Sequence, residues 1–280
     1  MIRQFILDTD WFTDCDDCIA LRFLLGNLDE KHRLLGINVD ATTEYSYASM
    51  KSFLEDAGVE YPIALDEENM YLGVTRYQKN MANGSIYTNQ DAEKSVDFYK
   101  RILEQNDNVE ILSIGFLSSI EKVFRQYPEL SREKIKRIWV MGGKWDEEGG
   151  FEYNISGGGN KFAINASRFL INEALCPITF LGFEVGATVI TGRHLREKGD
   201  ILFKAMEDYG TPAGRESWDP LLIMAGLDDK YLDCFYCIQG NAYIDEQGKN
   251  YFVECADGKH QYIVKTREDS YYERIIDSFL

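Results

Sequence analysis

Residues 6–21 read Ile6-Leu7-Asp8-Thr9-Asp10-Trp11-Phe12-Thr13-Asp14-Cys15-Asp16-Asp17-Cys18-Ile19-Ala20-Leu21. Five aspartates fall within ten residues, between an apolar strand and an apolar helix. Packing five carboxylates together costs repulsion and desolvation unless a cation is present. Carboxylate oxygens are the ligands that Ca and Mg take, so the segment points to a hard divalent ion. Asp16 and Asp17 also sit where a helix begins, which the macrodipole favours. A solvated acidic turn explains one such aspartate well and five of them poorly.

The elements that must position this cluster follow from periodicity. Short apolar runs alternate with amphipathic stretches over the first 200 residues. Strands are expected at Phe5-Ile6-Leu7, 33–39, 61–65, 109–114, 137–141 and 177–181. Helices are expected at 19–28, 47–57, 92–105, 117–127 and 162–175. This alternation predicts an α/β fold, a mostly parallel central sheet flanked by helices in a Rossmann-like arrangement. Ligands in such a sheet sit at the carboxyl ends of the strands, where the aspartates fall. Residues 67–90 show no clear period and read as an excursion or lid, and 144–160 as a polar, Gly-rich loop. After residue 230 the pattern changes to short antiparallel strands at 231–240, 242–245, 251–254 and 261–265, with a last helix at 271–280. No linker or internal repeat is visible, so 1–280 reads as a single domain.

Composition narrows the function. With 30 basic and 47 acidic side chains the formal net charge is -17, which argues against a nucleic-acid or membrane-surface binder. No apolar run is long enough for a transmembrane helix and no signal peptide is visible, so the expected location is cytoplasmic. Cys15, Cys18, Cys234 and Cys237 form two CxxC pairs, joined by Cys176 and Cys255. The carboxylates around the first pair suit a hard ion rather than thiolate-bound zinc, and all six are expected to be reduced, buried thiols.

The acidic segment resembles the signature of the inosine-uridine-preferring nucleoside hydrolase family, a strand ending in Asp-x-Asp, a short turn, then Asp-Asp-x-x-Ala-Leu. Four further segments agree in order. Ser113-Ile114-Gly115-Phe116-Leu117-Ser118-Ser119-Ile120 resembles the family's Gly-Pro-Leu-Thr-Asn turn. Trp139-Val140-Met141-Gly142-Gly143 with Glu152-Tyr153-Asn154 resembles its Met-Gly-Gly and Glu-Phe-Asn. Pro177 to Val185 resembles its Pro-Ile-Thr-x-x-Gly-Leu-Asp-Val strand, and Ser217-Trp218-Asp219-Pro220-Leu221 its His-Asp-Pro-Leu-Ala helix start. A haloacid dehalogenase-type phosphatase also begins with strand-Asp-x-Asp, but it takes a small residue and then Thr or Val where this chain has Trp11 and Phe12.

The resemblance implies an enzyme that hydrolyses the N-glycosidic bond of a ribonucleoside to ribose and free base, in purine salvage, with one Ca ion. By matching positions, Asp10, Asp17, Asp219 and the carbonyl of Ile114 would hold the ion. Asp10 would be the general base, Asp16 would bind a ribose hydroxyl, and Glu152 and Asn154 would bind the 5′- and 3′-hydroxyls. Family analogy implies a homodimer or homotetramer.

The chain departs from the family in five places. The turn after Asp10 is longer, which makes Asp14 extra and an alternative to Asp16 for ribose. Trp218 stands where common members carry a general-acid His, resembling a purine-specific branch that stacks an aromatic ring on the base. Asp40-Ala41-Thr42 replaces an Asn. Residues 76–90 replace a His-Gly loop and offer Tyr77 and Tyr87 as stacking rings. Gly157-Gly158-Gly159 lengthens the stretch after Asn154. These departures keep two alternatives open, a catalytically impaired nucleoside- or ribose-binding member and a hydrolase of another N-riboside.

Overall fold

The computed structural model describes residues 2–12, 14–66, 68, 75–146 and 150–280. Its strands are β1 (Arg3–Thr9), β2 (His32–Val39), β3 (Ile63–Leu65), β4 (Glu93–Lys94), β5 (Val109–Ser113), β6 (Ile135–Met141), β7 (Ile178–Leu181), β8 (Ile190–Thr191), β9 (Arg215–Glu216), β10 (Phe235–Ile244), β11 (Asn250–Glu254) and β12 (His260–Lys265). Ten of them form one sheet in the order β11-β10-β12-β7-β6-β5-β1-β2-β3-β4, and β8 pairs with β9. From β12 through β7 to β4 every pairing is parallel, whereas β10 runs antiparallel to both β11 and β12.

Among the described residues, twelve α-helices accompany the strands. They are α1 (Asp16–Asn27), α2 (Ser46–Asp56), α3 (Arg76–Met81), α4 (Ser95–Gln105), α5 (Ser118–Gln126), α6 (Pro128–Lys134), α7 (Tyr153–Ser156), α8 (Lys161–Glu173), α9 (Phe183–Gly186), α10 (Ile201–Tyr209), α11 (Trp218–Gly226) and α12 (Asp269–Asp277). Side chains alternate across the sheet, as the strand period of two requires. Phe5 and Leu7 of β1, with Trp139 and Met141 of β6, join the core beneath α1, α2, α10, α11 and α12. Ile6, Ile138 and Val140 join the core beneath α4, α5 and α8. Both faces are apolar, which is why the central strands read as continuous hydrophobic runs.

The departures from the sequence expectations are local. The first helix begins at Asp16 rather than Ile19, because apolar periodicity does not register an acidic first turn that the helix dipole favours. The expected strands 231–240 and 242–245 are one strand, β10. Gly240 does not turn the chain there; a Cβ on it would lie 2.3 Å from the Phe252 ring, so the glycine permits close packing. Within 67–90, residues 67 and 69–74 lie outside the described residues; α3 and a 3₁₀ turn at Asn89–Asp91 flank an irregular stretch at 82–88. The loop at 144–160 contains α7, and its residues 147–149 lie outside the description. All six cysteines are free, but only Cys15, Cys18 and Cys234 are buried; Cys176 is half-buried, and Cys237 and Cys255 are exposed. No described helix is long and apolar enough to cross a membrane.

A buried ion pair ties the amino end of β1 to its neighbours. Arg3 donates to both oxygens of Glu110 on β5, at 2.9 and 2.6 Å, and to the carbonyl of Gly226 at the end of α11. Glu110 also accepts from the Trp139 indole at 3.0 Å. Burial alone would raise the Glu110 carboxyl, but its bonds to Arg3 outweigh that and hold it below the usual range. Removing one partner of a buried pair costs about 3–5 kcal/mol. Arg3→Met should lower unfolding free energy in urea by that amount, and the Arg3→Met/Glu110→Leu double variant by less. Because the folded value is depressed, the Glu110 contribution is complete above the ordinary carboxylate value of ~4.3 and lost as pH falls through the lower folded value.

Candidate active site

The carboxyl ends of β1, β5, β6 and β7 converge on a cleft of about 540 Å³, a size suited to a small organic ligand. β1 delivers Asp10, β5 delivers Ile114, and the start of α11 delivers Trp218 and Asp219. Asp14, Asp16, Glu152 and Asn154 also line the cleft. Asp17 lies beneath it, 1% exposed. The structure therefore brings Asp10, Asp14, Asp16, Asp17, Ile114, Glu152, Asn154, Trp218 and Asp219 to one cleft.

Asp14, Asp17 and Asp219 each place a carboxylate oxygen within 4.8 Å of the others. Asp10 is 2% exposed in the cleft and adds to the repulsion felt by Asp219. Asp17 Oδ1 accepts from the Thr9 hydroxyl and from the Trp11 N–H. Its Oδ2 is buried with no hydrogen-bond partner among the described residues. Asp16 Oδ2 accepts the Asp219 backbone N–H at 3.1 Å, so the first turns of α1 and α11 face each other with their positive ends at the cluster. Burial, followed by the Asp14 charge, pushes Asp17 up to about 7 and Asp16 well above its ordinary value. Asp219 is raised by burial and then by Asp16, Asp17 and Asp14. An orphaned buried oxygen amid hard oxygen donors fits a divalent cation. The Ile114 carbonyl lines the same cleft and accepts from Asn154 Nδ2 at 3.3 Å.

The loop that carries the cluster is held from behind. Trp11 adopts φ 46°, a left-handed conformation that costs a non-glycine residue roughly 1–2 kcal/mol. Its fully buried indole donates to Ser49 Oγ at 3.0 Å and packs edge-on against Phe53, which offsets that cost. The Trp11 carbonyl accepts from buried Gln78 of α3 at 2.6 Å. Gly115 passes close to Asp10; a Cβ there would sit 2.4 Å from both the Asp10 nitrogen and Asp40 Oδ2. Asp40, which replaces the family's Asn, is hydrogen-bonded to Asp8 below the cleft. Asp8 also accepts from Asn38 and the Tyr99 hydroxyl. Burial raises both carboxyls, Asp8 to about 6. The apolar strand pattern around Asp8 gave no sign of this partner.

Glu152 caps α7 and clamps the turn after β6. Its oxygens accept the N–H groups of Asn154, Gly143 and Ile155 at 2.8, 3.0 and 3.1 Å. The Asn154 amide donates to the carbonyls of Met141 and Ile114. The cleft's outer part is aromatic, with Phe12, Phe151, Tyr153, Phe183 and Trp218. Phe151, Tyr153 and Phe183 are 58%, 44% and 41% exposed, which is costly for large rings unless a ligand covers them. Phe183 stacks on Trp218 at 5.1 Å, and the Trp218 indole donates to the Phe183 carbonyl at 2.7 Å. Phe151, Phe183 and Arg215 were not picked out by sequence. Single aromatic or basic residues carry no spacing signal.

Neither tyrosine of the 76–90 loop sits where a base would stack. Tyr77 is 1% exposed and belongs to the core, and Tyr87 packs against Tyr47 and Lys51; neither lines the cleft. Gly157, Gly158 and Gly159 all take positive φ and carry the chain from α7 to α8 outside the cleft lining.

The family described as inosine-uridine preferring nucleoside hydrolase matches residues 5–270. The chain belongs to this family of N-glycosyl hydrolases. No curated protein matches it by sequence. Among solved structures it is similar to an inosine-guanosine nucleoside hydrolase, at TM-score 0.77 and 13% identity over 100% of this chain and 98% of that one. It is similar to an inosine-uridine preferring nucleoside hydrolase from Bacillus anthracis, at 0.72 and 17% identity over 100% of both chains. A purine-preferring ribonucleoside hydrolase from Gardnerella vaginalis gives 0.71 and 18% identity over 99% of this chain and 98% of that one. These likenesses establish the nucleoside hydrolase fold.

The Glu152 clamp makes stability depend on pH. Burial pushes its carboxyl up to about 7 against the backbone N–H groups that favour the ionised form. An unfolded Glu titrates near ~4.3, so between these values the folded chain holds the extra proton, and this group's contribution to stability falls as pH rises. The wild type should lose on the order of 3 kcal/mol more than Glu152→Gln between pH 4 and pH 8 in urea unfolding.

Proposed function

We propose that this protein is a Ca-dependent hydrolase of the N-glycosidic bond of ribonucleosides, with preference for purine bases. The observation that carries the reading is the gathering of Asp10, Asp14, Asp17 and Asp219 at one end of a nucleoside-sized cleft whose other end is aromatic. Ribosyl C–N cleavage passes through an oxocarbenium-like state, which buried carboxylates under the sugar stabilise. Asp10, Asp17, Asp219 and the Ile114 carbonyl would hold the calcium, with Asp14 within reach of the same ion. Calcium, when bound, would supply the positive charge that acidifies a water and orients the ribose diol.

Asp10 is placed to accept the proton of the attacking water as its oxygen bonds to the anomeric carbon. The buried side of the cleft excludes bulk water from that centre. Asp16 or Asp14 would accept from a ribose hydroxyl. Glu152 and Asn154 hold the β6 end of the cleft and would bind the 5′- and 3′-hydroxyls of the sugar. The Trp218–Phe183 pair and the Phe151 ring form the surface on which a purine would stack, worth ~1–3 kcal/mol per base.

One panel assay tests this reading. Ribose release would be measured from purine, pyrimidine and nicotinamide ribosides, with calcium and with chelator. Purine ribosides should be cleaved fastest, chelator should stop the reaction, and Asp10→Ala should lower kcat by at least ~10²-fold. Unchanged rates in Asp10→Ala would remove the assignment of the base. Stoichiometric nucleoside binding without release would make the protein a binding member of the family.

A further inference from the structure

The cleft contains no histidine to assist the leaving base. His32 sits between Asp29 and Asp229, His260 against the Ile171 carbonyl and His194 beside Asp277. None of the three lines the cleft. Arg215 does, and it is the sole cationic side chain among the described residues that line it. It extends from β9, its side chain 13% exposed. Nη2 donates to Asp14 at 2.8 Å and Nη1 to Glu216 at 3.0 Å. The guanidinium carbon lies 5.1 Å from the centre of the Trp218 ring and 5.2 Å from that of Tyr209.

Two of the five N–H groups of a guanidinium are therefore donated to described residues, and Nε faces Asp16 Oδ1 at 3.8 Å, beyond hydrogen-bond reach. An arginine fixed this way, over the ring that marks the base end of the cleft, is built to meet an acceptor on the base. Asp14 and Glu216 fix the plane of the guanidinium, so little ordering remains when a base arrives.

Resting on the hydrolase reading above, we propose that Arg215 is a catalytic residue that hydrogen-bonds the departing base and stabilises the negative charge developing on it. The ribosyl C–N bond breaks and its electron pair moves to the base. The water oxygen bonds to the anomeric carbon and its proton passes to Asp10. A guanidinium is too weak an acid to give up its own proton, so the base leaves as an anion held by Arg215 and takes a proton from solvent. Arginine pairs best with the adjacent N7 and O6 acceptors of a 6-oxopurine; a 6-aminopurine presents a donor in place of O6. The substrate class this favours is the 6-oxopurine ribosides.

The test compares Arg215→Met with the wild type on inosine, adenosine and 4-nitrophenyl riboside, whose phenolate departs with little need of a donor. Loss of one preorganised donor to a developing anion lowers kcat about 10²–10³-fold. Inosine turnover in Arg215→Met should fall by about 10²-fold, at least tenfold more than 4-nitrophenyl riboside turnover, and the inosine-over-adenosine preference should disappear. Arg215→Lys keeps the charge and the pairing with Asp14; it should recover inosine turnover in part, and it is the variant to read if the Met protein does not fold. Equal losses on inosine and 4-nitrophenyl riboside would make Arg215 a support for Asp14 alone and overturn the proposal. An unchanged inosine-to-adenosine ratio would overturn it as well. A wild-type protein inert toward all three ribosides would instead remove the hydrolase reading on which this one rests.

Discussion

Mutual repulsion among buried carboxylates is the constraint that organises this molecule. Asp10, Asp16, Asp17 and Asp219 are all at most 5% exposed and lie at one end of one sheet. Charges of one sign are not held at this density without compensation. The fold supplies part of it through the N-terminal turns of α1 and α11, the N–H groups of Trp11 and Asp219, and the guanidinium of Arg215. An orphaned oxygen on Asp17 remains, and it is there that the proposed calcium would bind.

The parallel sheet is the device that makes this concentration possible. Its strands end together, so residues more than two hundred positions apart, such as Asp10 and Asp219, arrive in one cleft. The opposite end of the sheet is locked by Arg3 and Glu110. Behind the acidic loop, the strained backbone of Trp11 is held by its own buried indole and by Gln78. Rigidity at these points keeps the repelling groups from moving apart, and carboxylates that cannot move apart form a preorganised site for positive charge.

Much of this was legible in the sequence because it is encoded locally. Alternating apolar runs gave the parallel sheet and the Asp-rich turn its acidic end, while the Met-Gly-Gly end of β6 and the Trp-Asp-Pro start of α11 were tied to the cleft through the family resemblance. What was not legible depends on long-range packing. The Asp8–Asp40 pair joins β1 to the residue after β2, and no pattern in either segment announces the other. Tyr77 and Tyr87 looked available for stacking because their loop showed no period, yet one is core and the other packs on α2. Gly240 looked like a turn because local sequence does not reveal the Phe252 ring that presses on it. Phe183 and Arg215 gain meaning only when β7 and β9 bring them beside Trp218.

We propose the carboxylate cluster as a site for one divalent cation. Calorimetric titration of the chelator-treated protein with calcium tests it most directly, beside Asp17→Asn as the variant that removes charge at the orphaned oxygen. The account predicts one calcium per chain for the wild type and a loss of that binding in Asp17→Asn. Absence of calcium binding to a folded wild-type protein, or equal binding by the variant, would contradict it.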